Sequence, residues 1–255
     1  MEYWVRNQAI RVGGEIFMII RSLVAALLAA VVLPGQPALA ATNTGTTPAA
    51  QSPVAVIDTW IHWTRRTTWL TYGGTSVLEG QVVAEADALG YTEPLQDAAV
   101  ELFARPAGAS EWRRVATGTT DSDTVFRFND HQPSRNTDYR VVYQGDLLYQ
   151  ESSATTRVNV RRVITSKVTR NDDGTLTMRG TVVPKVAGKT VRLQRKTCVS
   201  CSWSTLRSAT TTPRSTWAFR VTAPTIGDRT WFYRVFTPRD RDFLTSFSGT
   251  WKIRR

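Results

Sequence analysis

Histidine and cysteine are nearly absent from this 255-residue chain, which holds two of each. Two histidines leave little room for imidazole-based acid–base chemistry. Asp130, His131 and Ser134 have the residue types of a triad, but they share one loop, and a triad takes its geometry from separate elements. No Gly-x-Ser-x-Gly elbow is present. A zinc site built on the two cysteines needs two further ligands, and His62 and His131 are the whole histidine supply. The reading is a protein that is not an enzyme, with no catalytic residue, no cofactor and no metal site.

Long apolar runs are missing as well, apart from one. Leu23 to Leu33 reads LVAALLAAVVL, too short to span a bilayer. Arg21 precedes it and Ala38-Leu39-Ala40 follows as a small-x-small cleavage site. Residues 1–40 are therefore expected to be a signal peptide, cut after Ala40. Met18 is an alternative start, because Glu2 and Glu15 burden the longer n-region. No cysteine stands at the cleavage site, and no Leu-Pro-x-Thr-Gly motif or apolar tail closes the chain. The expectation is a secreted, extracellular protein, held on the cell wall without a covalent bond if it is held there at all. The mature chain then has no membrane span.

Helical periodicity is the third absence. Residues 41–52, ATNTGTTPAAQS, read as a flexible linker. Beyond them, apolar residues recur every second position. Val100, Leu102 and Ala104 alternate with Glu101, Phe103 and Arg105; Trp217, Phe219 and Val221 alternate with Ala218, Arg220 and Thr222. Such alternation marks half-buried strands. The breaks carry turn residues: Gly73-Gly74, Asp121-Ser122-Asp123, Asp173-Gly174.

What is present is a repeat. Gly80-x-Val82-Val83 matches Gly180-x-Val182-Val183, Val100-x-Leu102 matches Val191-x-Leu193, and Trp112 matches Trp203. Phe126-x-Phe128 matches Trp217-x-Phe219, and Tyr139-Arg140-Val141 matches Tyr233-Arg234-Val235. The order holds throughout. The fold expected is all-β: two consecutive immunoglobulin-like antiparallel sandwiches, residues 53–160 and 161–255, of about seven strands each. Tyr139 and Tyr233 are placed where a tyrosine ties its hydroxyl back to the backbone.

These landmarks resemble the tandem Ig-like repeats of secreted actinobacterial proteins. The first unit carries their Tyr72-Gly73, Gly80, Trp112, Thr137-x-Tyr139 and Gly145-Asp146; the second lacks the Tyr-Gly start and has Arg239-Asp240 for Gly-Asp. The resemblance implies an extracytoplasmic spacer or adhesion-type module and brings no catalytic motif.

Cys198 and Cys201 are expected to form a disulfide at a hairpin tip, contributing about 2 kcal/mol through so short a loop. Asp121 with Asp123, and Asp172 with Asp173, are more economically turn residues than calcium ligands. Trp60 and Trp63 are candidates for stacking on sugar rings; in a regular strand they face opposite sides, so one points outward.

Acidic residues are scarce in the second half. Residues 53–160 hold nine Lys+Arg and 14 Asp+Glu, net −5; residues 161–255 hold 20 and five, net +15. Alternation puts Arg192, Lys196, Arg234, Lys252 and Arg254 on one outward stripe of the second unit. The first unit has Glu101, Phe103, Arg140 and Arg157 at comparable places. The reading is an envelope-associated structural or interaction module whose basic stripe docks on an anionic cell-wall polymer. Another extracellular protein, or head-to-tail association with the acidic unit of a second copy, would satisfy the same charge. Nucleic acid is disfavoured for want of an aromatic platform. The alternative function is a carbohydrate-binding module using Trp60 and Trp63.

Overall fold

The computed structural model describes residues 56–85, 90–224 and 229–254, and among these described residues there are eighteen strands and no helix. The expected signal peptide and the linker lie outside the described residues. The strands are β1 (Thr59–Arg66), β2 (Trp69–Thr71), β3 (Ser76–Glu85), β4 (Thr92–Pro94), β5 (Ala99–Pro106), β6 (Arg113–Thr119), β7 (Phe126–His131), β8 (Thr137–Tyr143) and β9 (Ser152–Arg161). They continue as β10 (Val163–Ile164), β11 (Lys167–Arg170), β12 (Leu176–Val183), β13 (Thr190–Lys196), β14 (Ser204–Thr210), β15 (Thr216–Val221), β16 (Trp231–Thr237), β17 (Ser246–Phe247) and β18 (Trp251–Ile253). The elements beyond the expected seven per half are pairings of two or three residues, too short to show a period.

Four sheets result. In the first half β3 pairs with β1, β4 and β7, and faces a second sheet of order β2-β9-β8-β5-β6. In the second half β12 pairs with β10, β11 and β15, and faces β14-β13-β16, with β17 and β18 both paired to β16. Among the described residues the strands pair antiparallel except β2 with β9, and two isolated bridges, Ile57 with Tyr149 and Arg161 with Leu244, are also parallel. Leu78, Val82, Leu102, Phe126, Val141 and Val158 are fully or almost fully buried between the first two sheets; Met178, Val182, Val191, Leu193, Tyr233 and Val235 fill the second core. The inward residues are those of the period-2 runs, because a strand buries every second side chain.

The two tyrosines part company. Tyr233 donates its hydroxyl to the Thr222 carbonyl at 2.9 Å, as expected. Tyr139 shares its hydroxyl with the Ser76 side chain instead, and burial raises its pKa.

No sheet crosses from one half to the other. β9 ends at Arg161, β10 begins at Val163, and Arg162 between them is buried. Its backbone N–H donates to Ser246 Oγ at 2.7 Å, and its guanidinium lies 3.7 Å over the Phe243 ring. Phe243 comes from the second half yet packs into the first core. Asn136, also buried, holds this joint: its N–H donates to the Asp242 carbonyl at 2.7 Å, its Nδ2 donates to the Arg241 carbonyl at 2.9 Å, and its Oδ1 accepts from the Val160 N–H at 2.8 Å.

Candidate functional site

The five predicted basic residues come from β13, β16 and β18 and the residue after it, and these strands share a sheet. Val191, Leu193, Tyr233, Val235 and Ile253 fill its inner face. That leaves Arg192, Lys196, Arg234 and Lys252 on the outer face by alternation. Register sets three rows: Arg192 opposite Phe236, Gln194 opposite Arg234, and Lys196 opposite Phe232, which in turn faces Lys252. Arg254 is exposed just beyond β18. None of the ion pairs among the described residues uses any of the five.

Aromatic rings interleave with these cations, which alternation alone did not reveal. Arg234 sits 4.2 Å from both the Trp203 and the Phe247 ring centres. Its Nε donates to Gln194 Oε1 at 2.9 Å, and burial lowers its pKa. Lys196 Nζ is 5.3 Å from Trp203 and 5.2 Å from Phe232, and donates to the Val199 carbonyl. Arg192 is 6.0 Å from Phe236. Each of these three cations is drawn to a ring by the ring quadrupole, so their charges are positioned rather than splayed. Trp203 is thus engaged by both Arg234 and Lys196.

The first sandwich carries the same frame. Trp112 lies 4.6 Å from Arg105 and 4.8 Å from Arg140, at the places of Trp203, Lys196 and Arg234. The cation positions are therefore shared; the acids differ. In the first sandwich Arg105 and Arg157 both pair with Asp138 at 3.3 Å, the central residue of their cross-strand row. Phe232 occupies that central place between Lys196 and Lys252. Glu101, held below the usual carboxylate range by hydrogen bonds from Arg114 and then Gln144, has Arg192 as its counterpart.

Other sequence candidates are placed as follows. Cys198 and Cys201 are bonded, in the loop from β13 to β14. Trp60 is exposed on β1, whereas Trp63 points inward, its ring edge-on to Phe126 at 5.9 Å and its buried indole N–H without an acceptor. The two do not form one stacking platform. His131 is not in a solvated loop: it closes β7, with its ring 6.3 Å from Phe128 and 6.1 Å from Tyr139. Arg127 pairs with Asp121 and Asp123, and Arg220 with Asp173. Among the described residues no His, Cys, Asp and Glu side chains cluster as a metal site would need, and no helix is long and apolar enough to cross a membrane.

No protein-family model matches the chain, and no curated protein matches its sequence. Solved structures are similar only distantly. A tetra-tandem repeat from the extending region of a large adhesion protein matches with a TM-score of 0.34 and 13% identity, over 78% of this chain and 49% of that one. A cytokine receptor complex matches at 0.38 and 11% identity, over 74% and 94%. Red sea bream transglutaminase matches at 0.36 and 10% identity, over 78% and 31%. The chain thus spans about half the length of the adhesion-protein repeat. The architecture is an all-β tandem of sandwiches stapled by one disulfide.

Proposed function

We propose that this chain is a secreted, non-catalytic tandem Ig-like protein of the cell envelope, akin to the actinobacterial repeats its sequence resembles. Its second sandwich docks on an anionic wall polymer through Arg192, Lys196, Arg234, Lys252 and Arg254. The observation that carries this is the exchange of Asp138 for Phe232 at the centre of one cross-strand row. Where the first sandwich neutralises Arg105 and Arg157, the second leaves Lys196 and Lys252 uncompensated on either side of a phenyl ring. A polymer bearing phosphate or carboxylate groups supplies the missing negative charge.

The test is co-sedimentation of the intact protein with purified anionic wall glycan across a salt series. Binding is expected at low salt and should weaken strongly by physiological ionic strength, where the Debye length is about 8 Å. Reversal of the five cations to Glu should abolish it. Binding that ignores salt, or survives that reversal, would overturn the proposal.

A further inference from the structure

The two sandwiches differ at one internal place. In the first, Trp63 stands opposite Gly80 and packs edge-on against Phe126, which pairs with the same glycine from the other side. In the second, Gly180 has Trp217 at the place of Phe126, but the small Ser166 stands at the place of Trp63. The register sets the match. Ile61, His62 and Trp63 pair with Val82, Gln81 and Gly80; Ile164 and Lys167 pair with Val182 and Arg179, which puts Thr165 opposite Thr181 and Ser166 opposite Gly180. The residue the second sandwich lacks is the one at the bulge, Thr64.

A cleft of about 620 Å³ opens there, within the size range of ligand pockets. Its floor is Trp217, 3% exposed, whose buried Nε1–H has no acceptor. The Cζ2 edge beside that nitrogen faces Gly180: a Cβ on Gly180 would lie 2.8 Å from it and 1.9 Å from the Thr165 carbonyl. The cleft therefore depends on glycine at this position. The Thr165 and Thr181 hydroxyls meet at 2.8 Å on one wall, and Ser166 is fixed on another by a 2.7 Å hydrogen bond from Trp251 Nε1. Lys167 and Arg179 line it as cross-strand neighbours, both exposed and outside every ion pair of the described residues.

We infer that this cleft binds a sugar ring carrying one anionic group. The threonine methyls with Ala209 and Ala218 suit the ring's apolar face. The hydroxyls of Thr165, Thr181 and Ser166 suit its hydroxyl groups. Lys167 and Arg179 select for the charge. The site lies away from the outer face of the β13–β16 sheet and stands independently of the proposed polymer contact.

The test follows the Trp217 indole resonance of the intact protein by two-dimensional NMR, assigned by its loss in Trp217→Phe. The probes are glucuronate, glucose 6-phosphate and glucose. Both anionic sugars should shift the resonance, with the stronger response telling a carboxylate source from a phosphate source. Glucose should bind about tenfold more weakly, equivalent to about 1.4 kcal/mol. Lys167→Gln with Arg179→Gln, both surface changes, should erase the difference between charged and neutral sugars. Ser166→Trp, which restores the first sandwich's filling, should abolish all three responses. The inference is overturned if no probe moves the resonance, if glucose binds as well as the charged sugars, or if binding persists in Ser166→Trp with the fold intact. Loss of polymer docking with retained sugar binding would overturn only the proposed function.

Discussion

Asp146 and Asp240 close the same turn, one in each sandwich, but spend their second oxygen differently. Each accepts two backbone N–H groups through Oδ1: Asp146 from Leu148 and Tyr149 at 2.8 and 2.9 Å, Asp240 from Asp242 and Phe243 at 2.9 and 2.7 Å. Oδ2 of Asp146 takes the Tyr143 hydroxyl, at 3.3 Å. Oδ2 of Asp240 takes Lys189 and, at 3.4 Å, the buried Arg162 between the sandwiches. The turn that merely closes a loop in the first unit thus anchors the joint in the second.

Asp240→Asn keeps the turn acceptor and removes the charge. Arg162 is then left buried without its counter-charge, with its Nε already unpartnered. Such a loss costs several kcal/mol when both groups are fully buried; Asp240 is partly exposed, so the expectation is about 2 kcal/mol in denaturant unfolding. No change in stability would show that the charge of Asp240 does not hold the joint.

Acid should weaken the same joint. Burial by itself would raise the pKa of Asp240, but the hydrogen bonds from Lys189 and the Phe243 N–H, with the charges of Lys189 and Arg162, hold it below the usual carboxylate value. A carboxyl lowered in the folded state stabilises above its unfolded value of about 3.9, and that contribution disappears as pH falls through the folded pKa. Thermal midpoints should therefore be level near neutrality and drop below about pH 4, by less in Asp240→Asn than in the parent.

Phe243→Ala is a change in the second half that should loosen the first. The ring is buried in the first core and lies under Arg162. Truncating a buried phenylalanine costs about 3 kcal/mol or more. Hydrogen exchange at Val141 and Val158 should accelerate more than at Val191 and Val235. Acceleration confined to the second half would contradict the packing.

The strand alternation and the repeat were legible in the sequence because burial of every second residue writes itself directly into composition. The shared sheet of β13, β16 and β18 followed from the sandwich those runs imply, and the Cys198–Cys201 pair from being the one cysteine pair of a chain read as secreted. Other features depend on which residues face each other, and a single strand's pattern does not contain that. Trp203 reaches Arg234 from a loop. Phe232 matches Asp138 in the repeat, but its meaning needs the register that sets it between Lys196 and Lys252. The cleft at Trp217 comes from Ser166 facing Gly180 where Trp63 faces Gly80, and Phe243 joins the first core across the joint.

Replacing both Cys198 and Cys201 by Ser should lower stability by about 2 kcal/mol or less, since the loop they close is short. The same loop positions Lys196, through the Val199 carbonyl, and leads directly to Trp203. Reduction of the native bond should therefore leave the strands intact, and weaken polymer binding somewhat by freeing Lys196. Unfolding of the second sandwich on reduction would refute this view of the loop.

A reciprocal exchange tests whether the central residue of the cross-strand row decides which sandwich docks. Phe232→Asp places a carboxylate between Lys196 and Lys252, where Asp138 stands between Arg105 and Arg157. Docking on anionic polymer should fall steeply. Phe232 is buried, so some stability is lost as well, and docking should be compared at a temperature where circular dichroism shows the strands intact. Asp138→Phe should do the reverse, unmasking Arg105 and Arg157 beside Arg140. The first sandwich is acidic elsewhere, with Glu101 still engaging Arg114, so the gain is expected only at low salt. The decisive protein carries both substitutions: its polymer binding should move to the first sandwich, becoming sensitive to Arg157→Glu and insensitive to Lys252→Glu. If Lys252→Glu remains the damaging change, long-range net charge governs docking and the row does not.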